Sequence, residues 1–461
     1  EQSRLGIPVL FGYDVIHGFR TTYPISLAQA CSWNPALVKQ AAEVAAQEAR
    51  MSGVEWTFSP MIDVARDGRW GRVSEGYGED PYANAVYGVA AVEGYQGDNL
   101  ADSRRVAACL KHFVGYGASE AGRDYVYTEI SRQTLWDTYM PPYQAGIEAG
   151  AATVMSCFND ISGTPGTANP YILTEVLKER WAHDGFVVSD WAAIEQLRSQ
   201  GVAADRKEAA EKAFNAGVEM DMMNRCYDAH LAALVREGKV SQEKLDEAVR
   251  RVLRLKFRLG LFERPYTPES EETDRFLLPA SLAVAERLAE ESMVLLKNEN
   301  NTLPLKAARR IAVIGPMAQN RLHLLGAWSA HGREEDAVSL FAGLENEYRG
   351  RAELLYARGC DFDGEDRSGF REAVAAAAAA DVVVLCLGEK KQWSGENASR
   401  STIALPEIQE QLAAELAQTG KPLVLVLSSG RPLELCRLEP LCGAMVQMWQ
   451  PGIRGGNTLA G

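Results

Sequence analysis

The sequence has few cysteines and no long apolar run, and these two deficits exclude several classes of protein. Only 8 of its 461 residues are cysteine, which is too sparse for a disulfide scaffold. No Cys-x-x-Cys pair indicates a zinc or redox site, and no fixed-period repeat indicates a solenoid. No apolar run reaches the roughly 18 residues of a transmembrane helix. We therefore expect a globular chain without a membrane span or a metal site.

Basic residues are also in deficit. The 48 Lys and Arg residues are outnumbered by 62 Asp and Glu residues, for a formal net charge of −14. Surfaces that bind nucleic acid or anionic membranes need clustered Lys and Arg, so neither partner is expected. Hydrophobic residues make up 46% of the chain, enough for stable cores at this length. Domains usually have about 100–200 residues, so two or three domains are expected.

Six strand-like runs alternate with amphipathic stretches in the first half, at residues 8–14, 56–60, 106–113, 153–159, 186–190 and 218–222. Alternation of strands and helices is typical of parallel βα units. The pattern predicts an α/β fold that begins with a (β/α)8-like, TIM-type barrel. Because only six strands are counted, we expect an incomplete barrel. The chain also begins without Met and stops soon after a Gly-rich turn, so we expect it to be part of a longer protein.

A Pro-rich, acidic segment at residues 264–279 has the composition of a linker. A long helix is predicted next, at 280–296. Four continuous apolar runs follow, and each suits a strand buried on both faces of a parallel sheet; they begin at Ile311, Val382, Leu423 and Ala444. The prediction is a barrel at 1–263, a linker at 264–279 and an α/β three-layer sandwich at 280–461.

Most predicted strands of the first half end in polar residues: Asp14, Asp63, Lys111 with His112, Asn159, Asp190 with Trp191, and Glu219 with Asp221. In βα barrels these strand ends meet at one rim, where active sites lie. A shared pocket is therefore expected. Carboxylates beside a Trp suit sugars, which offer hydroxyls and apolar C–H faces.

Five motifs occur in a fixed order along the chain: Gly12-Tyr-Asp14-Val-Ile-His17-Gly, Arg69-Trp-Gly-Arg72, Lys111-His112-Phe113, Val188-Ser-Asp190-Trp191 and Ser394-Gly-Glu396-Asn-Ala-Ser-Arg-Ser401. In this order the chain resembles family 3 glycoside hydrolases, and more narrowly the bacterial periplasmic β-glucosidases of that family. The resemblance extends from about residue 5 to residue 461.

The resemblance implies a barrel followed by an α/β sandwich, and retaining hydrolysis of β-glycosides without a metal or organic cofactor. It implies that Asp190 is the nucleophile and Glu396 the general acid/base. It also implies a set of sugar-binding residues: Asp14, Arg72, Lys111, His112 and Trp191. Asn159 and Met223 are further candidates for the substrate pocket.

The two catalytic assignments agree with elementary chemistry. Cationic neighbours would keep Asp190 ionised for attack on the anomeric carbon, whereas the acid must begin protonated. Glu389 is the rival acid at a strand end, and Arg400 would disfavour protonation of Glu396 if it pointed inward. The loop after His112 has no second His, which disfavours the His-based acid/base of some family members.

The predicted activity is that of a retaining, exo-acting β-glucosidase that releases terminal β-D-glucose from oligosaccharides or aryl glucosides. A β-xylosidase of the same family is the alternative. A glycoside phosphorylase and a non-catalytic sugar-binding protein on the same fold also stay open. The partner is a small carbohydrate, and the sequence leaves a homo-oligomer open. A periplasmic or secreted location is implied by the resemblance alone.

Overall fold

The computed structural model describes residues 3–305 and 308–461, and these form an α/β fold. Its β-strands are β1 Gly12–Tyr13, β2 Trp56–Thr57, β3 Cys109–Phe113, β4 Thr153–Ser156, β5 Asp160–Ile161, β6 Thr164–Pro165, β7 Phe186–Ser189, β8 Val294–Asn298, β9 Arg310–Ile314, β10 Glu353–Ala357, β11 Val382–Gly388, β12 Leu423–Ser428 and β13 Ala444–Gln447.

The α-helices are α1 Ser26–Cys31, α2 Pro35–Arg50, α3 Pro81–Gln96, α4 Arg132–Thr134, α5 Met140–Glu148, α6 Ala193–Ser199, α7 Arg206–Ala216, α8 Cys226–Arg236, α9 Gln242–Arg258, α10 Pro279–Ser292, α11 Leu340–Tyr348, α12 Phe370–Ala379, α13 Glu407–Ala417 and α14 Gly455–Ala460. Leu135–Tyr139 and Tyr171–Arg180 are π-helical. Short 3₁₀ turns occur at Gly71–Glu75, Tyr116–Ala118, Glu120–Gly122, Gly166–Ala168, Glu272–Asp274, Leu322–Leu325, Glu334–Asp336, Lys391–Trp393, Glu439–Leu441 and Gly452–Arg454.

The chain divides into two compact units that are not continuous in sequence. Unit 1 comprises the residues up to Ile16 together with Val38–Trp70 and Gly76–Arg275. Unit 2 comprises His17–Leu37, Gly71–Glu75 and Phe276–Gly461. The predicted limits at 1–263, 264–279 and 280–461 stay a prediction.

The strands β1, β2, β3, β4 and β7 of unit 1 pair in parallel and in chain order, whereas β5 and β6 form a separate antiparallel pair. β1 pairs with β2, and a single bridge joins Trp56 of β2 to Ala107, just before β3. β3, β4 and β7 then pair in that order. This succession is expected of repeated βα units. It establishes the α/β class, whereas the (β/α)8-like barrel stays a prediction.

Burial explains the apolar composition of these strands. Every residue of β3, β4 and β7 is buried. Trp56 lies in the core between them, with its ring edge-on to Phe186 at 5.3 Å and its indole N–H donating to the Thr153 hydroxyl at 2.9 Å. The central strands thus pack on both sides and leave only their ends for polar residues.

The predicted strand at 218–222 is reduced to one parallel bridge between Val188 and Met220. The backbone N–H groups of Glu219 and Met220 both donate to the carbonyl of Val187, at 2.9 and 3.0 Å. Two successive donors on one acceptor interrupt the regular ladder, so the segment is extended without forming a strand.

Unit 2 contains a six-stranded sheet in the order β10-β9-β11-β12-β13-β8. All its pairs are parallel except β13 with β8. Alternate residues of β9, β11 and β12 enter two hydrophobic clusters. One cluster includes buried residues of α12 and α13, and the other includes residues of α11. Helices therefore cover both faces, which is why the strands read as unbroken apolar runs.

The predicted helix at 280–296 is wrong at its C-terminal end. The helix α10 ends at Ser292 because Met293 is extended, and Val294–Asn298 instead forms β8. The apolar run of Val294, Leu295 and Leu296 fits either a helix or a strand. Antiparallel pairing with β13 makes this segment a strand. In the part of the chain that the structure describes, no helix has the length and apolarity needed to cross a membrane.

Candidate active site

Lys111 and His112 are successive buried residues near the end of β3. The Lys111 ammonium group donates a 2.7 Å hydrogen bond to Oδ1 of Asp14, just beyond β1. The Lys111 side chain is 3% exposed and that of Asp14 is 27% exposed. The ammonium group of this ion pair is therefore shielded from solvent, whereas the carboxylate is partly exposed to it. Two of the predicted sugar-binding residues are thus brought together.

The His112 imidazole is held by a buried carboxylate, Asp63. Oδ2 of Asp63 accepts from the backbone N–H of His112 at 3.0 Å and contacts the ring Nδ1 at 2.8 Å. Oδ1 accepts from the Tyr143 hydroxyl at 2.9 Å. Burial, followed by the charge of Asp63, raises the pKa of Tyr143, so its hydroxyl stays a donor. Since a carboxylate only accepts, Nδ1 of His112 carries a proton.

The other ring nitrogen of His112 faces Asp190. Nε2 lies 3.4 Å from Oδ2 of Asp190, and Oδ1 of Asp190 accepts from the Trp191 backbone N–H at 2.6 Å. Asp190 directly follows β7, and its side chain is 10% exposed. A carboxylate on each side of one imidazole favours the doubly protonated ring. Asp63, His112 and Asp190 thus form a carboxylate–imidazole–carboxylate row.

Trp191 and Met223 lie beside Asp190 with exposed side chains. Both are 58% exposed, which is unusual for large apolar side chains. The Met222 backbone N–H donates to the Ser189 hydroxyl at 2.9 Å, and the Ala192 N–H donates to the Met222 carbonyl at 3.1 Å. These bonds hold the segment before Met223 against the turn that carries Asp190 and Trp191.

Asn159 is fully buried, and its side-chain amide forms hydrogen bonds with Thr128 and Asp160. Its Nδ2 donates to the Thr128 hydroxyl at 3.1 Å and to the Asp160 carbonyl at 3.0 Å. The neighbouring Phe158 ring is 6.3 Å from the His112 ring. Asn159 thus follows a residue whose ring lies near His112, and its own side-chain N–H groups are used in structural hydrogen bonds.

Arg72 and Glu396, both predicted site residues, meet in unit 2. The Arg72 guanidinium binds the buried Glu75 carboxylate through two bonds, Nε to Oε1 at 2.8 Å and Nη2 to Oε2 at 3.0 Å. Its Nη1 lies 3.6 Å from Oε1 of Glu396. The Arg72 side chain is 2% exposed, whereas that of Glu396 is 26% exposed. Arg72 thus binds Glu75 more closely than it approaches Glu396.

The loop that carries Glu396 is held by its backbone. The Gly395 N–H donates to the Gly71 carbonyl at 2.7 Å, and a Cβ on Gly71 would lie 2.2 Å from the Gly395 carbonyl oxygen. Gly71 and Gly395 are required because the two backbones approach so closely, and Gly395 has a φ of +94°. The buried Arg431 donates to the carbonyls of Trp393 and Ala398, one on each side of Glu396. The loop therefore has fixed ends.

Glu389, the rival acid, is fully buried and paired. Its Oε1 accepts from Arg400 at 2.7 Å and lies 3.3 Å from Nε of Arg431, while Oε2 accepts from the Gly430 N–H at 3.2 Å. Burial raises the pKa of Glu389 and the two guanidinium groups oppose the rise. Arg400 therefore binds Glu389 rather than Glu396, and the concern that Arg400 would act on Glu396 is removed.

Two strand-end acids of unit 1 have structural roles. Glu219 accepts from the Lys178 ammonium group and from the Val187 backbone N–H. Asp221 accepts from the backbone N–H groups of Cys226 and Tyr227 and so caps the start of α8. Neither joins the row of Asp63, His112 and Asp190.

Sequence reasoning identified Asp63 as a strand-end acid but did not assign it to the site, and it missed Tyr143 and Glu75. The spacing of 49 residues between Asp63 and His112 carries no local signal. Glu75 lies three residues after Arg72, a spacing at which side chains pair in a helical turn, so this partner could have been predicted from the sequence.

Among the residues described, no group of three or more His, Cys, Asp or Glu side chains could hold a metal ion. The absence of a cofactor stays a prediction.

Comparison with known proteins identifies both halves of the chain. The model of the glycosyl hydrolase family 3 N terminal domain matches residues 1–255, and that of the glycosyl hydrolase family 3 C-terminal domain matches residues 293–461. A periplasmic beta-glucosidase of Salmonella typhimurium is 41% identical over 99% of this chain and 63% of its own length. A beta-xylosidase of Formosa agariphila is 35% identical over 99% of this chain and 67% of its own length.

Among solved structures, a mutant beta-glucosidase from Listeria innocua in complex with laminaribiose has a TM-score of 0.96 and 42% identity. That alignment covers 100% of this chain and 63% of the Listeria chain. The present chain thus spans less than two thirds of the Salmonella and Listeria proteins.

Proposed function

The chain belongs to glycosyl hydrolase family 3, as its five motifs predicted, and we propose that it is a retaining, exo-acting β-glucosidase. It would release terminal, non-reducing β-D-glucose from oligosaccharides or aryl glucosides. The observation that carries this proposal is the Asp190 carboxylate, held between the Trp191 N–H and the His112 ring. The names of the Salmonella and Listeria relatives support the choice of glucoside.

Asp190 is the proposed nucleophile. Its oxygens face a backbone N–H and an imidazole that has a second carboxylate behind it, which favours the ionised form required for attack. In the first step a carboxylate oxygen of Asp190 bonds to the anomeric carbon as the bond to the leaving oxygen breaks. In the second step water displaces Asp190 from the glycosyl ester, so the β configuration is retained.

Glu396 is the proposed general acid/base. In the first step it gives its proton to the leaving oxygen, and in the second it takes a proton from the attacking water. Its side chain reaches solvent, and the neighbouring Arg72 guanidinium is bound by Glu75. Both features are compatible with a carboxyl group that must gain and lose a proton in each cycle.

The sugar hydroxyls would be held by charged groups of both signs. The Lys111–Asp14 pair offers an ammonium donor next to a carboxylate acceptor, and Arg72 offers guanidinium N–H groups. Trp191 would cover the apolar face of the sugar. Met223 would border the pocket through the segment joined to Ser189, and Asn159 would support it from behind.

Three further properties are part of the proposal. The parallel strands of unit 1 would belong to a (β/α)8-like barrel, and the sheet of unit 2 to a three-layer sandwich. The enzyme would need no metal or organic cofactor, because two carboxyl groups suffice for the chemistry. The periplasm is the proposed location, on the printed name of the Salmonella relative.

A β-xylosidase is the second candidate, favoured by the 35% identity to the Formosa enzyme. Xylose lacks the hydroxymethyl group at C5, so a xylosidase pocket would be too short for glucose. The deciding experiment compares kcat/KM for p-nitrophenyl β-glucoside and p-nitrophenyl β-xyloside, followed by laminaribiose. A preference for the xyloside would reverse the assignment. If none of these glycosides were hydrolysed, both candidate functions would be refuted.

A further inference from the structure

A cavity of about 720 Å³ lies at the ends of the unit 1 strands opposite to the end that carries Asp190. It is bordered by the end of α2, by Glu55 before β2, by Ser103 and Arg104 before β3, and by segment 264–270. Asp190, in contrast, follows the C-terminal end of β7. Because the strands are parallel, the cavity is at their N-terminal edge and is separate from the candidate active site. Its volume is within the range of about 300–1,000 Å³ typical of small-molecule sites.

Arg50 forms the buried wall of this cavity with unused hydrogen-bond donors. The residue is 7% exposed, yet Nη1 has no hydrogen-bond partner in the described part of the chain. The nearest carboxylate oxygen, Oε1 of Glu55, is 3.7 Å away, and Nη2 makes only a 3.4 Å contact with the Leu259 carbonyl. A buried guanidinium with unused donors is costly. An oxyanion in the cavity would satisfy them with the fork geometry that arginine prefers.

The charges around the cavity are mainly positive. Arg104 and Arg264 line it together with Arg50, and Glu55 is the only acidic residue among the lining residues. Glu55 also accepts from the Phe11 backbone N–H at 3.0 Å, and burial raises its pKa. Three guanidinium groups against one carboxylate contrast with the net charge of −14 of the whole chain. This local excess favours an anion.

The rest of the lining combines apolar residues with four neutral polar ones, Gln47, Ser103, Thr267 and Ser270. Met51, Pro265, Tyr266 and Pro268 line the side that segment 264–270 forms. We infer that the cavity binds a small organic anion, with a carboxylate or phosphate group at Arg50 and Arg264 and an apolar or aromatic body against Tyr266 and Pro268. The bound anion would join segment 264–270 to the end of α2.

The test is calorimetric titration of the protein with phenyl phosphate, inorganic phosphate and phenol. Phenyl phosphate should bind one to one with a Kd of about 0.1–1 mM, inorganic phosphate more weakly, and phenol with no saturable heat. Arg264→Gln, at an exposed position, should weaken phenyl phosphate binding about tenfold, since it removes one of the charged contacts. Arg104→Gln should weaken it less, because Asp102 already binds this guanidinium at 2.8 Å.

The matched control is Arg250→Gln, an exposed arginine of α9 that lies outside the cavity lining. It should leave phenyl phosphate binding unchanged. Absence of saturable binding, or equal loss in the Arg264 and Arg250 variants, would overturn the inference. Displacement of phenyl phosphate by glucose would place the anion in the candidate active site and would also overturn it. These outcomes do not depend on glycosidase activity, so the proposed function is tested separately.

Discussion

The two proposed catalytic carboxyl groups differ in almost every property of their surroundings. Asp190 of unit 1 has a side chain that is 10% exposed, and it faces an imidazole with a carboxylate behind it. Glu396 of unit 2 has a side chain that is 26% exposed, and the Arg72 guanidinium 3.6 Å from it is bound to Glu75. The first carboxyl group is thus the more enclosed of the two, and the second is the more accessible to solvent. The comparison indicates that the residues packed around a carboxyl group, rather than its residue type, decide its role.

Replacement of Asp190 should have the largest effect. Asp190→Ala should lower kcat at least about 10⁴-fold for all glycosides, because no other group forms the glycosyl ester. Asp184→Ala, an exposed aspartate on the approach to β7, is the control and should retain activity. Circular dichroism should show both variants folded. A 2-deoxy-2-fluoro glycoside should label Asp190, whereas labelling of Glu396 would reverse the two roles.

Glu396 should give a smaller loss that depends on the leaving group. Glu396→Ala should slow laminaribiose hydrolysis about 10²–10⁴-fold. Activated aryl glucosides, which need little protonation, should be slowed less in the first step. The measurement is kcat/KM across leaving groups of graded acidity. An equal loss for every leaving group would contradict the acid role.

Glu389→Gln is the matched comparison within unit 2. It removes the carboxylate that binds Arg400 and Arg431, so we expect a loss of about 3–5 kcal/mol in the free energy of unfolding. It should not increase the dependence on the leaving group. Unfolding in urea measures the first effect, and the aryl glucoside series measures the second.

Asp63 should act as a positioning residue for His112. Asp63→Asn should lower kcat/KM roughly 10²-fold, because a neutral amide does not stabilise the protonated His112 ring and has one acceptor oxygen instead of two. Tyr143→Phe removes only the hydroxyl that binds the other oxygen, and a loss of roughly tenfold or less is expected. The ¹⁵N chemical shifts of the His112 ring report whether both ring nitrogens carry a proton. Unchanged ring shifts in Asp63→Asn would disprove the positioning role.

The smallest effect should be a pH dependence that separates two histidines. Burial, aided by the charge of Arg251, lowers the pKa of His183 in unit 1 to about 3. Burial and two lysines lower the pKa of His323 in unit 2 to about 4. Both are neutral when folded, so their stabilisation is present above the unfolded pKa of about 6.5 and is lost as the pH falls below it.

For His183 the loss between pH 6.5 and pH 5 should be at most about 2 kcal/mol. His323 is less buried and should lose less. The free energy of urea unfolding, measured at both pH values, should become less pH-dependent in His183→Gln than in His323→Gln. The same dependence in the wild type and in His183→Gln would show that His183 does not contribute.

Much of the candidate site could be predicted from local sequence, because its residues lie at the ends of strands. Lys111 with His112 and Asp190 with Trp191 are neighbours in sequence, and each follows a buried apolar run. Asp63 shows the limit of such reading, since its partner is 49 residues away and only the parallel association of the strands brings them together. The motif match favoured Glu396 over Glu389 as the acid, and the structure adds that Glu389 is buried and paired with Arg400 whereas Glu396 is partly exposed.

The sequence alone determined the α/β class, the family and the identity of the candidate residues, because hydrophobic periodicity and short motifs are local properties. Only the tertiary structure decided which carboxylate binds which cation, that Val294–Asn298 is a strand, and that Arg72 belongs with Glu396 in unit 2. The reason is that these outcomes depend on contacts between residues distant in the chain. Burial then sets the energy of each charge and hydrogen bond through its surroundings rather than through its neighbours in sequence.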